Sequence, residues 1–389
     1  MTILRTLATA LSAAILLPSA APAQEMHMKP PSMLPAARRV VRQALPRGAR
    51  NPQAVIRGAN VWMVFVVGSN AYSEHAADGG TDWSRPVRIN SIAGSVNSAM
   101  ERGPRIALGA DDVLQVVWQP NFPPGGNQVW YAQSTDRGTF TPQIDIRKAP
   151  KGYDEPNITA DAEGNVYAFW LDGRLGPRAD SPVASPLFYT QSHDNGKTWG
   201  AATMVKSDYP GNWCGCCMPR PFIGLDGQLY VAARGGYHNI RDIWLLHRLP
   251  DNRWKATRVS YNSWVIQACP MSGPAAISTK SGIAVAWMSK GQAFWSEQGA
   301  DGEFPIGGTP LAPPGFAPAN GANYPLVLTD QQGDVCLAWN QGGHVYWIAR
   351  SPRGVPLGSG DLGAGVGDGP GAERAAGFVT PGGQFRILF

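Results

Sequence analysis

A turn followed by an alternating apolar run recurs six times along the chain. The copies are "GANVWMVF" (58–65), "ADDVLQVVW" (110–118), "EGNVYAFW" (163–170), "DGQLYVAA" (226–233), "SGIAVAW" (281–287) and "GDVCLAW" (333–339). Their first strand residues, Val61, Val113, Val166, Leu229, Ile283 and Val335, lie about 52 to 63 residues apart. Alternation with a period of two marks a half-buried β-strand. Two companions keep the same rhythm. A proline and a short apolar stretch precede each run, at Pro52, Pro104, Pro156, Pro219, Pro274 and Pro325. An aromatic strand follows each, from "AYSEH" (71–75) to "VYWIAR" (345–350). A unit of about 50 residues with four antiparallel strands cannot bury its faces alone, and stacks on its neighbours as a propeller blade. Six copies predict an all-β fold, a six-bladed β-propeller of four-stranded antiparallel blades over residues 50–350.

The flanks carry other signals. A basic head, an apolar run at 7–17 and Ala21-Pro22-Ala23 read as a secretory signal peptide at 1–23, cleaved after Ala23. The expected location is therefore periplasmic or secreted. No later apolar run is long enough to predict a transmembrane segment. The formal charge of +5 is too small to argue for nucleic acid. Residues 24–49 form an N-terminal tail that can supply a closing strand, "RRVVRQAL" (38–45). Residues 351–383 are rich in Gly and Pro and read as a loop. The terminal "QFRILF" (384–389) competes as the closing strand of the last blade.

One hairpin, "SHDNGKTW" (192–199), is a complete Ser-x-Asp-x-Gly-x-Thr-Trp box, and "AADGGTDW" (76–83) keeps its Asp, Gly and Trp. "STDRGTF", "PDNRW" and "GADGEF" are degenerate copies. Asp194 can accept backbone N–H groups across the turn, Gly196 can take positive φ, and Trp199 can pin the hairpin to its blade. These boxes resemble the Asp boxes (BNR repeats) of the sialidase superfamily. The resemblance implies that Asp194 and Asp78 are scaffold rather than catalysts.

In a propeller the first strand of each unit lines the central channel, and the loops leading into it ring one mouth. The repeat therefore nominates the residues around each proline. Candidate ligand-binding residues are Glu101, Arg102, Arg105, Asp154, Asn157 and Arg220, with Arg50, Glu155 and Tyr324 at equivalent places. Blades four and five bring cysteines instead. Cys214, Cys216 and Cys217 lie in "NWCGCCMP", and Cys269 stands five residues before Pro274 just as Cys214 stands five before Pro219. Four thiols are thus expected on one face. They admit a disulfide from Cys269 to the triplet, a soft-metal site for copper or zinc, or a redox pair, since Cys214 and Cys217 have C-x-x-C spacing. Met26, His27, Met28 and Met33 in the tail are donors of the same soft kind. Cys336, inside a strong strand, reads as a buried filler.

The sialidase resemblance implies arginines that clamp a carboxylate, a tyrosine nucleophile and carboxylate partners, for which Arg50, Glu155 and Tyr324 are the candidates. Blade four presents cysteines and Arg220 where that family keeps its glutamate, and blade five offers no arginine. The "CGCC" and "CPMSGP" stretches are similar to a secreted bacterial subset of sialidase-like propellers. Three functions follow as expectations. The first is an exported propeller binding a small-molecule, glycan or metal ligand at the channel mouth beside a thiol-rich site. The second is an exo-sialidase-type glycoside hydrolase. The third is a platform for a protein partner.

Overall fold

The computed structural model describes residues 39–121, 128–134, 136, 138–148, 155–173, 184–365 and 374–389. The expected signal peptide, the Met/His tail and Asp154 lie outside the described residues. Each of the six repeats forms a four-stranded sheet with its strands hydrogen-bonded in chain order. The first strands, Arg50–Arg57, Arg105–Leu108, Asn157–Ala160, Arg220–Ile223, Ala275–Ser278 and Ala322–Thr329, contact one another from blade to blade and wall the axis. The strong strands sit second, as at Leu114–Trp118 and Ile283–Ser289, and are buried along their whole length.

The ring has seven blades, which corrects the expectation of six. Ala376–Val379 pairs antiparallel with Phe385–Leu388, and Val40–Gln43 adds in parallel on the far side. Ala376–Val379 packs between the first strands of blades six and one. The two terminal segments that competed to close blade six therefore share a further blade. Blade six already owns a fourth strand, Pro356–Ala364, inside the stretch expected as a loop. Its sequence, "PLGSGDLGA", has poor strand propensity and is held by pairing with the His344–Arg350 strand and by Leu357 and Leu362, which pack on the core beside blade seven.

The core is distributed in the same way. Seven hydrophobic clusters each join two neighbouring blades, one cluster per junction. Trp118, Trp170, Trp287 and Trp339, from equivalent second strands, are completely buried. Truncating such a residue costs on the order of 3–5 kcal/mol. Val40, Phe385, Ile387 and Phe389 pack on blade six, while Ala376, Phe378 and Leu388 pack on Val61, Met63 and Phe65 of blade one. The short seventh blade is thereby cemented on both faces.

Asp194 and Asp78 cap their own turns. Asp194 accepts the Thr198 N–H at 2.8 Å and its hydroxyl at 2.6 Å, and Asp78 accepts the Thr81 N–H at 2.9 Å. Trp199 meets the Tyr131 ring edge-on at 4.9 Å. Gly196 has φ +83°, and a side chain there would strike the Tyr131 hydroxyl. Cys336 is buried in the core between blades six and seven.

Candidate functional site

The first strands all begin at one end of the ring, and the backbone there is unusual. Asn51, Glu155 and Tyr324 have φ of +51°, +46° and +47°, and each directly precedes the proline of its blade. Left-handed backbone on non-glycine residues costs about 1–3 kcal/mol and gathers where surroundings hold a side chain in place for a purpose. At this end the loop carrying Glu101 crosses to the far side of the axis. Glu101 Oε1 accepts the Gly273 N–H at 2.7 Å and Oε2 accepts the Met218 N–H at 3.1 Å. One carboxylate from blade two thus ties down the loops leading into blades four and five. Arg105 follows it inward, donating Nε to Met218 Sδ at 2.7 Å and Nη2 to the Glu101 carbonyl.

Arg105 lies in a knot of like charge. Burial holds its cation well below the usual guanidinium range, Arg374 and Arg220 push the same way, and Glu101 and Glu155 oppose them. Arg220 is likewise lowered by burial and then by Arg374, with Glu101 opposing. Arg374, in the segment leading into the seventh blade, is buried. Arg102 reaches Glu155 Oε1 at 2.8 Å, but neither Glu155 oxygen receives a directed hydrogen bond among the described residues. Glu155 is almost fully buried, and desolvation pushes its carboxyl up to about 7 against the pull of Arg102. Asn157 is turned to the Pro219 carbonyl at 2.9 Å. Tyr324 is buried, and burial together with Glu101 pushes its phenol up to about 12. Arg50 stands apart, bonded through Nη2 to the Gly68 carbonyl of its own blade at 3.0 Å.

Arg220 also closes one end of a cavity of about 670 Å³ in the channel. Its walls are the first strands of blades one, five, six and seven, through Ala54, Ile56, Ala276, Val327 and Phe378. It extends to turns at the opposite end of those strands, including Gly58, Lys280 and Pro381. The expected mouth is therefore plugged by Glu101 and Arg105, and the open volume lies behind the plug.

The cysteines sit against the same knot. Trp213–Cys214 pairs with Ala184–Ser185 in a small separate sheet, and Tyr209 stacks on Trp213 at 4.4 Å. Cys216 and Cys269 form a disulfide between blades four and five. Cys214 and Cys217 are free, buried and 3.2 Å apart, and the three triplet sulfurs lie within 4.8 Å of one another. Met271 packs against them. Two of the four sulfurs expected as copper or zinc ligands are thus bonded to each other. Two thiols do not complete the four-ligand shell of a structural zinc site.

Three residues of this region were not among the candidates. Arg374 belongs to the seventh blade, whose hairpin signal is "AAGFV", a Pro-Gly-Gly turn and "QFRIL". Arg234 ends the second strand of blade four, where the register puts Ala233 in place of the tryptophan of blade three. It donates to the carbonyls of Ser272, Arg241 and Met288, each at 2.8 Å. Arg241 is buried with Nε and Nη1 unpartnered among the described residues.

No family model matches the chain, and a search of curated proteins returned no match. Solved structures match at the level of the propeller. An alpha-L-arabinanase of Penicillium chrysogenum complexed with arabinobiose is 15% identical, with a TM-score of 0.48, covering 85% of this chain and 92% of that one. The GH93 alpha-L-arabinofuranosidase of Fusarium graminearum is 10% identical, TM-score 0.47, over 79% and 90%. The intramolecular trans-sialidase of Ruminococcus gnavus is 11% identical, TM-score 0.46, over 75% and 90%. These are likenesses of fold.

Proposed function

We propose that this propeller is an exported binding protein whose channel takes a small anion, held by Arg220 with Arg105 and Arg374 behind it. One observation carries the proposal: the guanidiniums of Arg102, Arg105, Arg220 and Arg374 are gathered, among the described residues, around two carboxylates, Glu101 and Glu155. Buried charge is stable only when partnered, and a guanidinium fork matches a carboxylate or sulfate. A cavity of about 670 Å³ with mostly apolar walls suits a ligand with an anionic head and a compact neutral body, such as an acidic sugar. The Cys216–Cys269 disulfide supports export, since such bonds persist in oxidising compartments.

Hydrolysis of the exo-sialidase type is less well supported. A tyrosine nucleophile needs a free base beside it, whereas burial raises the Tyr324 phenol and Glu101 is committed to two backbone N–H groups. Isothermal titration with glucuronate, sulfate and neutral glucose tests the binding proposal. Both anions bind, glucose does not, and Arg220→Gln weakens the anions at least about tenfold, a loss of about 1.4 kcal/mol. Equal affinity for glucose and glucuronate, or no binding of either anion, refutes it.

A further inference from the structure

The free thiols and the disulfide form one contiguous sulfur cluster that reaches from the interior to the surface. Cys217 Sγ lies 3.2 Å from Cys214 Sγ, and Cys214 Sγ lies 3.8 Å from Cys216 Sγ. Cys216 is bonded to Cys269, and Cys269 is exposed while the other three are buried. A purely structural cross-link between blades four and five needs only the last pair. It leaves unexplained why two reduced thiols stand in contact with the bond and with each other. The surroundings favour a thiolate at one of them. Cys214 is lowered to about 7, first by the hydrogen bond with Cys217 and then, against its burial, by the Arg241 and Arg234 cations. Burial instead drives Cys217 up, so the pair has an unequal division of labour. Arg234 and Arg241 are both buried, and Arg241 retains two unpartnered donors among the described residues.

We propose that the four cysteines form a thiol–disulfide relay, which moves the disulfide from Cys216–Cys269 inward to Cys214–Cys217 and presents the released Cys269 thiol at the surface to a disulfide-bearing partner. In the first step the Cys214 thiolate attacks Cys216 Sγ, a Cys214–Cys216 bond forms, and Cys269 leaves as a thiolate. In the second, Cys217 passes its proton through solvent to the Cys269 thiolate and attacks Cys214 Sγ, and Cys216 leaves as a thiolate. Two thiols and one disulfide remain throughout, so no outside oxidant is consumed. Cys269 then attacks the partner disulfide, passes that proton to the partner thiol it releases and forms a mixed disulfide. Cys216 attacks Cys269 Sγ and releases the second. The net change is two buried thiols oxidised and one external disulfide reduced. Exchange of this kind requires a thiolate in contact with the sulfur it attacks and an accessible leaving thiol, and both are present.

The test uses the full chain, purified without reductant, treated with a chelator and mixed with oxidised glutathione. Samples are quenched in acid, alkylated and mapped by mass spectrometry. The wild type releases two glutathione thiols per chain and acquires Cys214–Cys217 beside Cys216–Cys269. Cys214→Ser slows release at least tenfold. Cys217→Ser stops halfway, with a Cys214–Cys216 bond and a glutathione adduct on Cys269. Release that is unchanged in Cys214→Ser, an adduct on Cys214 instead of Cys269, or an untouched Cys216–Cys269 bond in the wild type overturns the relay. Exchange blocked by metal carried through purification and freed by the chelator overturns it too, because the sulfurs are then ligands. If a serine variant fails to fold, judged by near-ultraviolet circular dichroism, the wild-type map decides alone. Anion binding in the channel is measured separately and stands or falls without it.

Discussion

Replacing Glu155 with glutamine should remove a pH dependence of stability. The carboxyl is nearly fully buried, its oxygens receive no directed hydrogen bond among the described residues, and its pKa rises from 4.5 to about 7. A raised carboxyl pKa means that the folded state holds its proton over a window in which the unfolded chain has lost it. The associated stability is fully present below pH 4.5, drains as pH rises through the window, and is gone above about 7. At 1.36 kcal/mol per unit, raising the pH from about 5 to about 8 costs the wild type about 2.5 kcal/mol through this one group. For a chain of this size that is a fall in Tm of about 3 °C. Glutamine keeps the shape and cannot ionise, although it loses the charged contact with Arg102 at 2.8 Å. Thermal melts of both proteins at matched scan rate, in steps from about pH 5 to about pH 8, measure the difference curve. The variant should gain on the wild type by about 3 °C across that range, whatever its starting offset. Parallel curves would show that Glu155 is solvated or already ionised, and would refute the charge assignment of the whole plug.

Other substitutions test neighbouring claims. In Gly273→Ala the new methyl group meets the Met218 carbonyl. The loops of blades four and five must then separate, weakening the N–H bonds to Glu101 and lowering Tm. Arg234→Leu strands three carbonyls in the interior, and should cost about 3–5 kcal/mol in denaturant melts. Asp194→Asn should cost about 1 kcal/mol at neutral pH and leave anion binding unchanged. Its carboxyl is lowered to about 2 chiefly by Thr198, so the wild-type advantage is present above 3.8 and fades as pH falls through about 2.

The fold was legible where side chains do the work. Second strands carrying Trp118, Trp170, Trp287 and Trp339 announce their blades because each is a large, fully buried anchor of a junction cluster. The seventh blade has no such residue. It is assembled from two ends of the chain, and neither Val40–Gln43 nor Ala376–Val379 carries a repeat that a single pass can register. Pro356–Ala364 was obscured for a related reason, since pairing with a neighbour's backbone helps to define it. At the site, alignment on the prolines found Glu101, Arg105, Glu155 and Arg220, but it could not tell which side chains turn inward. Arg50 and Asn51 are adjacent, yet Asn51 reaches the Ser98 carbonyl at 2.7 Å while Arg50 faces its own hairpin. The positive φ at Asn51 decides that, and backbone handedness leaves little trace in residue type. The triplet cysteines and Cys269 were placed together by spacing, whereas their pairing required coordinates.

The parallel pairing of Val40–Gln43 with Phe385–Leu388 gives the molecule a clasp, and a clasp imposes an order in time. Six blades can stack as the chain emerges, but the annulus stays open until Phe385–Leu388 arrives to meet Val40–Gln43. Until then blades one and six present raw flanks, with Val61, Met63 and Phe65 on one and Leu326 and Trp347 on the other. Such an intermediate is a natural client for a holdase and a natural nucleus for aggregation. Once fastened, the ring has no outer blade from which to fray, so unfolding must begin by prising open the clasp. A charged substitution at Phe389, which is buried, burdens that fastening. Yield and persistence of this propeller should therefore depend on Val40–Gln43 and Phe385–Leu388 far more than their small share of the core suggests.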